Sequence, residues 1–132
     1  MTDDELAKQA KRAGNEESTE RPVTTIHRDR NELVSEHTKR RANGFCDLCG
    51  NPAPFNSKNG YPYLEEHHVL TLANGGPDTI YNTVALCPNC HRKMHIVHLK
   101  ADVKRLQAKI MQYLEDDNDT ENIQKLTDIL VR

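Results

Sequence analysis

His67, His68, Asn82, His91 and His95 fall within one short stretch of the chain, and four cysteines adjoin it as Cys46-x-x-Cys49 and Cys87-x-x-Cys90. Imidazoles bind divalent metals and move protons near neutral pH. Thiolates bind zinc. The stretch from Tyr63 to His95 therefore reads as two metal sites in one small unit, one structural and one catalytic.

Cys46, Cys49, Cys87 and Cys90 supply four thiolates, a complete tetrahedral set for Zn²⁺. Unrelated buried thiols would not come in two matched pairs, and a catalytic dithiol would need only one. Thirty-seven residues separate the pairs. An inserted hairpin accounts for that length, with the zinc tying its end back to the upstream turn. A four-thiolate site has no open coordination position, so its role is folding.

His91 and His95 are four residues apart on a predicted helix and share a face. Cys90 lies about 100° around that helix from His91, so it is free to face the structural zinc. His67 and His68 alternate faces on a predicted strand and cannot do the same job. One of them joins His91 and His95 as a third ligand; the other stands beside the site as a base. Three protein ligands leave open positions for water or a phosphate oxygen. The ion is left open among Mg²⁺, Mn²⁺, Ni²⁺, Co²⁺ and Zn²⁺.

The elements that must position these groups follow from pattern and punctuation. Residues 29–43 read as a helix with Leu33, Val34, His37 and Arg41 along one side and Asn43-Gly44 as its stop. Its Lys39-Arg40-Arg41 run suits either the helix dipole or phosphate contact. Residues 51–62 are a Pro- and Asn-rich loop. Tyr63–Leu70 and Tyr81–Leu86 read as strands around an Asn74–Asp78 turn. Pro88 opens a helix expected to run through His91 and His95 to about Glu115. Asp116–Asp119 breaks it, and a last helix over 120–131 carries Ile123, Leu126 and Leu130. Leu99, Val103, Leu106, Ile110 and Tyr113 form a narrow seam. That seam either packs within a monomer, the favoured reading, or pairs two chains through residues 99–113.

The chain has 132 residues, of which 36% are hydrophobic and 5% aromatic, with no Trp. So thin a core favours one small domain supported by a metal. Residues 1–22 read as a polar segment, either helical along Leu6, Ala10 and Ala13 or disordered. Residues 23–115 form the functional unit and 116–132 a C-terminal helix. No apolar run reaches membrane-spanning length and no signal-peptide pattern opens the chain, so a cytoplasmic protein with reduced cysteines is expected. The net charge is −2, yet residues 21–113 hold thirteen basic and eight acidic residues. A basic middle suits a polyanion such as nucleic acid, or is an ordinary solvated surface.

From about Arg41 to His95 the sequence resembles the HNH endonucleases, in particular the McrA-like branch of 5-methylcytosine restriction nucleases with four zinc-binding cysteines. The matching elements are Phe45-Cys-x-x-Cys-Gly50, Leu64-Glu-x-His-His-Val69, Gly75-Gly76-x-Asp78, Asn82 and Ala85-Leu-Cys-Pro-Asn-Cys-His-Arg-x-x-His95. The resemblance implies a small α+β fold: a ββα-metal core with a four-cysteine structural zinc and flanking helices. It implies that His67, His91 and His95 hold the catalytic ion. It implies that His68 is the general base, and that Asn82 holds the hairpin loop and orients that base. The expected activity is metal-dependent hydrolysis of DNA phosphodiester bonds. The alternatives are a non-catalytic zinc module that binds nucleic acid or protein, and a nicking subunit of a larger assembly.

Overall fold

The computed structural model describes residues 1–13 and 32–131. Part of the polar N-terminal segment and the expected helix start at residue 29 lie outside these residues. Helix α1 spans Asp3–Ala13. It opens with a reciprocal cap: the Glu5 amide donates to Thr2 Oγ1 at 3.2 Å, and the Thr2 amide to Glu5 Oε2 at 3.0 Å. Thr2-x-x-Glu5 is a capping box legible in the sequence.

Helix α2, Glu32–Arg41, ends where Asn43 and Gly44 adopt positive φ of 53° and 85°. Its inward face differs from the expected one. Leu33 is exposed, while Val34, Thr38 and Ala42 are buried. The rotation lets the Thr38 hydroxyl meet that of Thr83 at 2.7 Å. Arg41 also turns inward, donating from Nη2 to the Thr83 carbonyl and lying over the Tyr113 ring, 4.9 Å from its centroid. Burial lowers its pKa. Arg41 is therefore part of the scaffold.

Two short strands, β1 at Glu65–His68 and β2 at Thr83–Leu86, pair antiparallel with His67 opposite Val84 and His68 opposite Thr83. They are shorter than the expected runs because the connecting loop is built from local turns. A single 3₁₀ turn, Leu72–Asn74, leads to Gly75 at φ +81°. At Gly76 a Cβ would stand 1.9 Å from the Leu70 carbonyl oxygen. Only glycine allows that crossing of backbones.

The long helix expected from Pro88 is two helices. Helix α3 covers Pro88–Ile96 and α4 covers Lys100–Asp116. His98, at φ +49°, makes the corner. Met94 is the one residue of α3 that is fully buried, and Ile96 and Val97 face solvent. A straight continuation would carry the next apolar residues past the core. The corner re-aims α4 so that Leu106, Ile110 and Leu114 pack with Val84, Leu86, Met94 and Leu126. A Lys93–Asp102 ion pair at 3.1 Å bridges the two helices.

Helix α5, Thr120–Leu130, follows an Asp119 cap whose side chain accepts from the Asn122 amide. Leu126 reaches the core; Leu130 is exposed. The seam on α4 is thus covered within the chain, with Leu114 replacing Tyr113 and Leu99 left half-exposed. Each such buried leucine or isoleucine contributes about 1.5–3 kcal/mol. No helix among the described residues is long and apolar enough to cross a membrane.

Candidate functional site

The four cysteines come together. Cys46 and Cys49 lie on the turn after α2, closed by the Gly50 amide donating to the Cys46 carbonyl at 2.9 Å. Gly50 takes φ +74° to make that turn. Cys87 caps α3, its Sγ accepting from the Cys90 amide. All four Sγ atoms lie within 4.8 Å of one another. A tetrahedral zinc with Zn–S bonds of about 2.3 Å would space its sulfurs about 3.8 Å apart, within the reach of this set. Burial and the neighbouring thiols push the Cys90 thiol well above its ordinary range. A bound cation removes that penalty, as expected of a zinc ligand.

The knuckle is fastened to the hairpin through Asp47. Its amide donates to the Ala85 carbonyl and its Oδ2 accepts from the Ala85 amide, at 2.9 and 2.8 Å. The Tyr113 hydroxyl from α4 donates to the other carboxylate oxygen. Zinc turn, strand and helix are thereby held in one frame.

The second cluster joins His67 of β1 to His91 and His95 of α3, their ligand nitrogens all within 4.8 Å. His67 stands edge-on to both other rings, with centroids 5.3 and 5.2 Å away. The Nε2 atoms of His91 and His95 are 3.0 Å apart. His67 is buried at 3% exposure, and its Nε2 has no hydrogen-bond partner. Burial first, then His91 and His95, push its pKa down to about 4. At neutral pH it therefore offers an uncharged lone pair. Desolvation first, then His91, Arg92 and His98, lower the His95 pKa as well. An orphaned lone pair facing two more imidazoles fits a divalent cation.

His91 is oriented from behind. Its Nδ1 donates to Glu65 Oε1 at 2.9 Å, and Glu65 Oε2 accepts from the Tyr63 hydroxyl at 2.8 Å. The His91 hydrogen bond, then that of Tyr63, hold the Glu65 carboxyl below its usual range. Sequence reasoning missed Glu65. Its signal was position: two residues before His67, it must share that strand face.

His68 points to the other side of β1, where its Nε2 lies 2.8 Å from Asp78 Oδ1. Glu66, His68 and Asp78 make a third group of closely spaced donors. Asn82, 3% exposed, ties the loop across itself. Its Oδ1 accepts from the Leu70 amide, and its Nδ2 donates to the carbonyls of Leu70 and Pro77, each at 2.9 Å. The Asn82 amide is taken up by backbone, and the partner of the His68 ring is Asp78. His98 sits exposed at the α3–α4 corner.

The chain is similar to several known proteins. Residues 46–97 match the HNH endonuclease family model. The chain is 44% identical over 86 residues to the type IV methyl-directed restriction enzyme EcoKMcrA of Escherichia coli K12, across 59% of this chain and 31% of that protein. It is 44% identical over 39 residues to anaredoxin of a Nostoc species, across 30% of this chain and 51% of that one. Among solved structures, the type IV phosphorothioation-dependent restriction endonuclease ScoMcrA superposes with a TM-score of 0.58 at 27% identity, covering 86% of this chain and 21% of that one. The chain thus spans about a third of the length of EcoKMcrA. With its two-stranded hairpin, the helix that follows it and four clustered cysteines, the segment over residues 46–97 is similar to the HNH endonucleases in sequence and in arrangement.

Proposed function

We propose that the protein is a metal-dependent endonuclease that hydrolyses phosphodiester bonds of DNA. The observation that carries this reading is the convergence of His67, His91 and His95, with a buried, unpartnered His67 Nε2 at its centre. These three residues would hold one divalent ion. When bound, that ion neutralises charge on the scissile phosphate and on the leaving oxygen. Cys46, Cys49, Cys87 and Cys90 would hold a separate zinc that maintains the fold.

His68 acts as general base. It takes one proton from water as the water oxygen bonds to phosphorus and the bond to the 3′-oxygen breaks. The leaving oxygen is then protonated from solvent, giving 5′-phosphate and 3′-hydroxyl ends. Asn82 serves the reaction by holding the loop that faces His68. Glu65 and Tyr63 keep the His91 lone pair aimed into the metal site. Both restriction relatives are named for modified DNA, methylated in one and phosphorothioated in the other. Only the cleavage chemistry of that group is extended to this chain.

The test is a supercoiled-plasmid nicking assay run separately with Mg²⁺, Mn²⁺, Ni²⁺, Co²⁺ and Zn²⁺. Parent protein should nick with at least one ion. His68→Ala should lose about 10²- to 10⁴-fold in rate with fold and zinc intact. Equal nicking by the two proteins at matched metal would remove the base assignment.

A further inference from the structure

The β1 pleat places Glu66 and His68 opposite Glu65 and His67, and the returning loop brings Asp78 up to that side. Asp78 Oδ1 stands 2.8 Å from His68 Nε2, with the two side chains 25% and 10% exposed. Glu66 Oε1 lies 3.9 Å from the same nitrogen, and the Glu66 side chain is 7% exposed. That distance is too long for a hydrogen bond, so Asp78 and not Glu66 is the partner. An ionised carboxylate only accepts, which requires the proton to be on Nε2. A neutral imidazole protonated there carries its lone pair on Nδ1.

Asp78 is itself held in place. The Pro77 carbonyl just before it accepts from Asn82 Nδ2 at 2.9 Å. Asn82 therefore reaches His68 indirectly, through the backbone that presents Asp78. The Asp78 carboxylate also stands where a positive charge appears when the ring takes a proton, and offsets that charge.

We infer that Asp78 is the positioning residue for His68: it fixes the Nε2–H tautomer, so that Nδ1 is the atom that accepts the proton from water. The inference rests on the proposed role of His68 as base. Asp78 touches no reacting atom in this arrangement; it acts through the ring.

The experiment combines kinetics with ¹⁵N spectroscopy on the full chain, zinc-loaded and supplied with Mg²⁺. In the parent protein, His68 should show a protonated Nε2 and a lone-pair Nδ1 at mildly alkaline pH. Asp78→Asn can donate as well as accept, and should lower kcat by at least about tenfold. KM for plasmid DNA, zinc content and the thermal midpoint should stay at parent values. Asp78→Glu should recover part of kcat. A parent His68 ring protonated on Nδ1 would overturn the inference without any variant being made. So would parent-level kcat in Asp78→Asn, or a loss confined to KM or to zinc content. His68→Ala separates the two readings. If it cleaves like the parent, the base assignment fails and this role with it. If it is inactive while Asp78→Asn is fully active, the Asp78 role alone fails.

Discussion

Nδ1 of His91 donates to Oε1 of Glu65 across 2.9 Å, from α3 back to the strand that carries His67. The bond sets the His91 tautomer and leaves its Nε2 as the lone-pair atom beside His95. Two elements distant in sequence are thereby tied together beside the His67, His91 and His95 cluster.

Removing that bond should loosen ion binding without unfolding the chain. Glu65→Gln is expected to weaken Mn²⁺ affinity by about 10- to 100-fold, read by isothermal titration calorimetry. Because Glu65 is only partly buried, the thermal midpoint should change little. Unchanged affinity would show that His91 needs no partner to stay aimed.

Cys46→Ser should release the zinc and soften the fold. Cys46 is buried in the same core cluster as Leu48, Val69 and Leu86. A loss of about 3 kcal/mol would lower the melting midpoint by roughly 10–20 °C in a domain of this size. Zinc content by atomic emission and a melting curve decide the matter together. A variant that keeps one equivalent of zinc and melts like the parent would refute the structural assignment.

Asn82→Asp tests the loop staple more sharply than Asn82→Ala. The amide donates to two carbonyls, from Leu70 and Pro77, which a carboxylate would face with like partial charge. Each lost buried bond costs about 1–3 kcal/mol. Urea unfolding should rank the parent above Asn82→Ala, and Asn82→Ala above Asn82→Asp. Nicking activity should fall in the same order, because the loop carries Asp78 to His68.

Leu106 distinguishes an internal seam from a dimer seam. It is fully covered by its own chain. Leu106→Glu should therefore cost on the order of 3–5 kcal/mol of stability, by burying an unpaired charge in a packed core. The parent should scatter light as a monomer at about 100 µM. A parent dimer that Leu106→Glu converts to a folded monomer would reverse this reading.

The residue types that matter were legible in the chain because they are sparse, polar and regularly spaced. Paired C-x-x-C runs named a thiolate site, and His91 with His95 had to share a helical face. Pro88, Gly44 and the Gly75–Gly76 pair marked element ends through backbone geometry that needs no tertiary partner. The second layer was not legible. Glu65, Asp78 and Asp47 are ordinary acidic residues until folding brings each to its partner, 26 residues on for His91, 10 back for His68 and 38 on for Ala85. The α3–α4 corner was hidden for a related reason. No glycine or proline marks it, and it is the packing of α4 with Val84, Leu86 and Leu126 that the corner makes possible. Local propensity marked roughly where helices, strands and turns lie and which side chains can do chemistry. Long-range packing, whose energy depends on neighbours the local sequence cannot specify, decided where the helices bend, which face of α2 turns inward, and which carboxylate holds which imidazole.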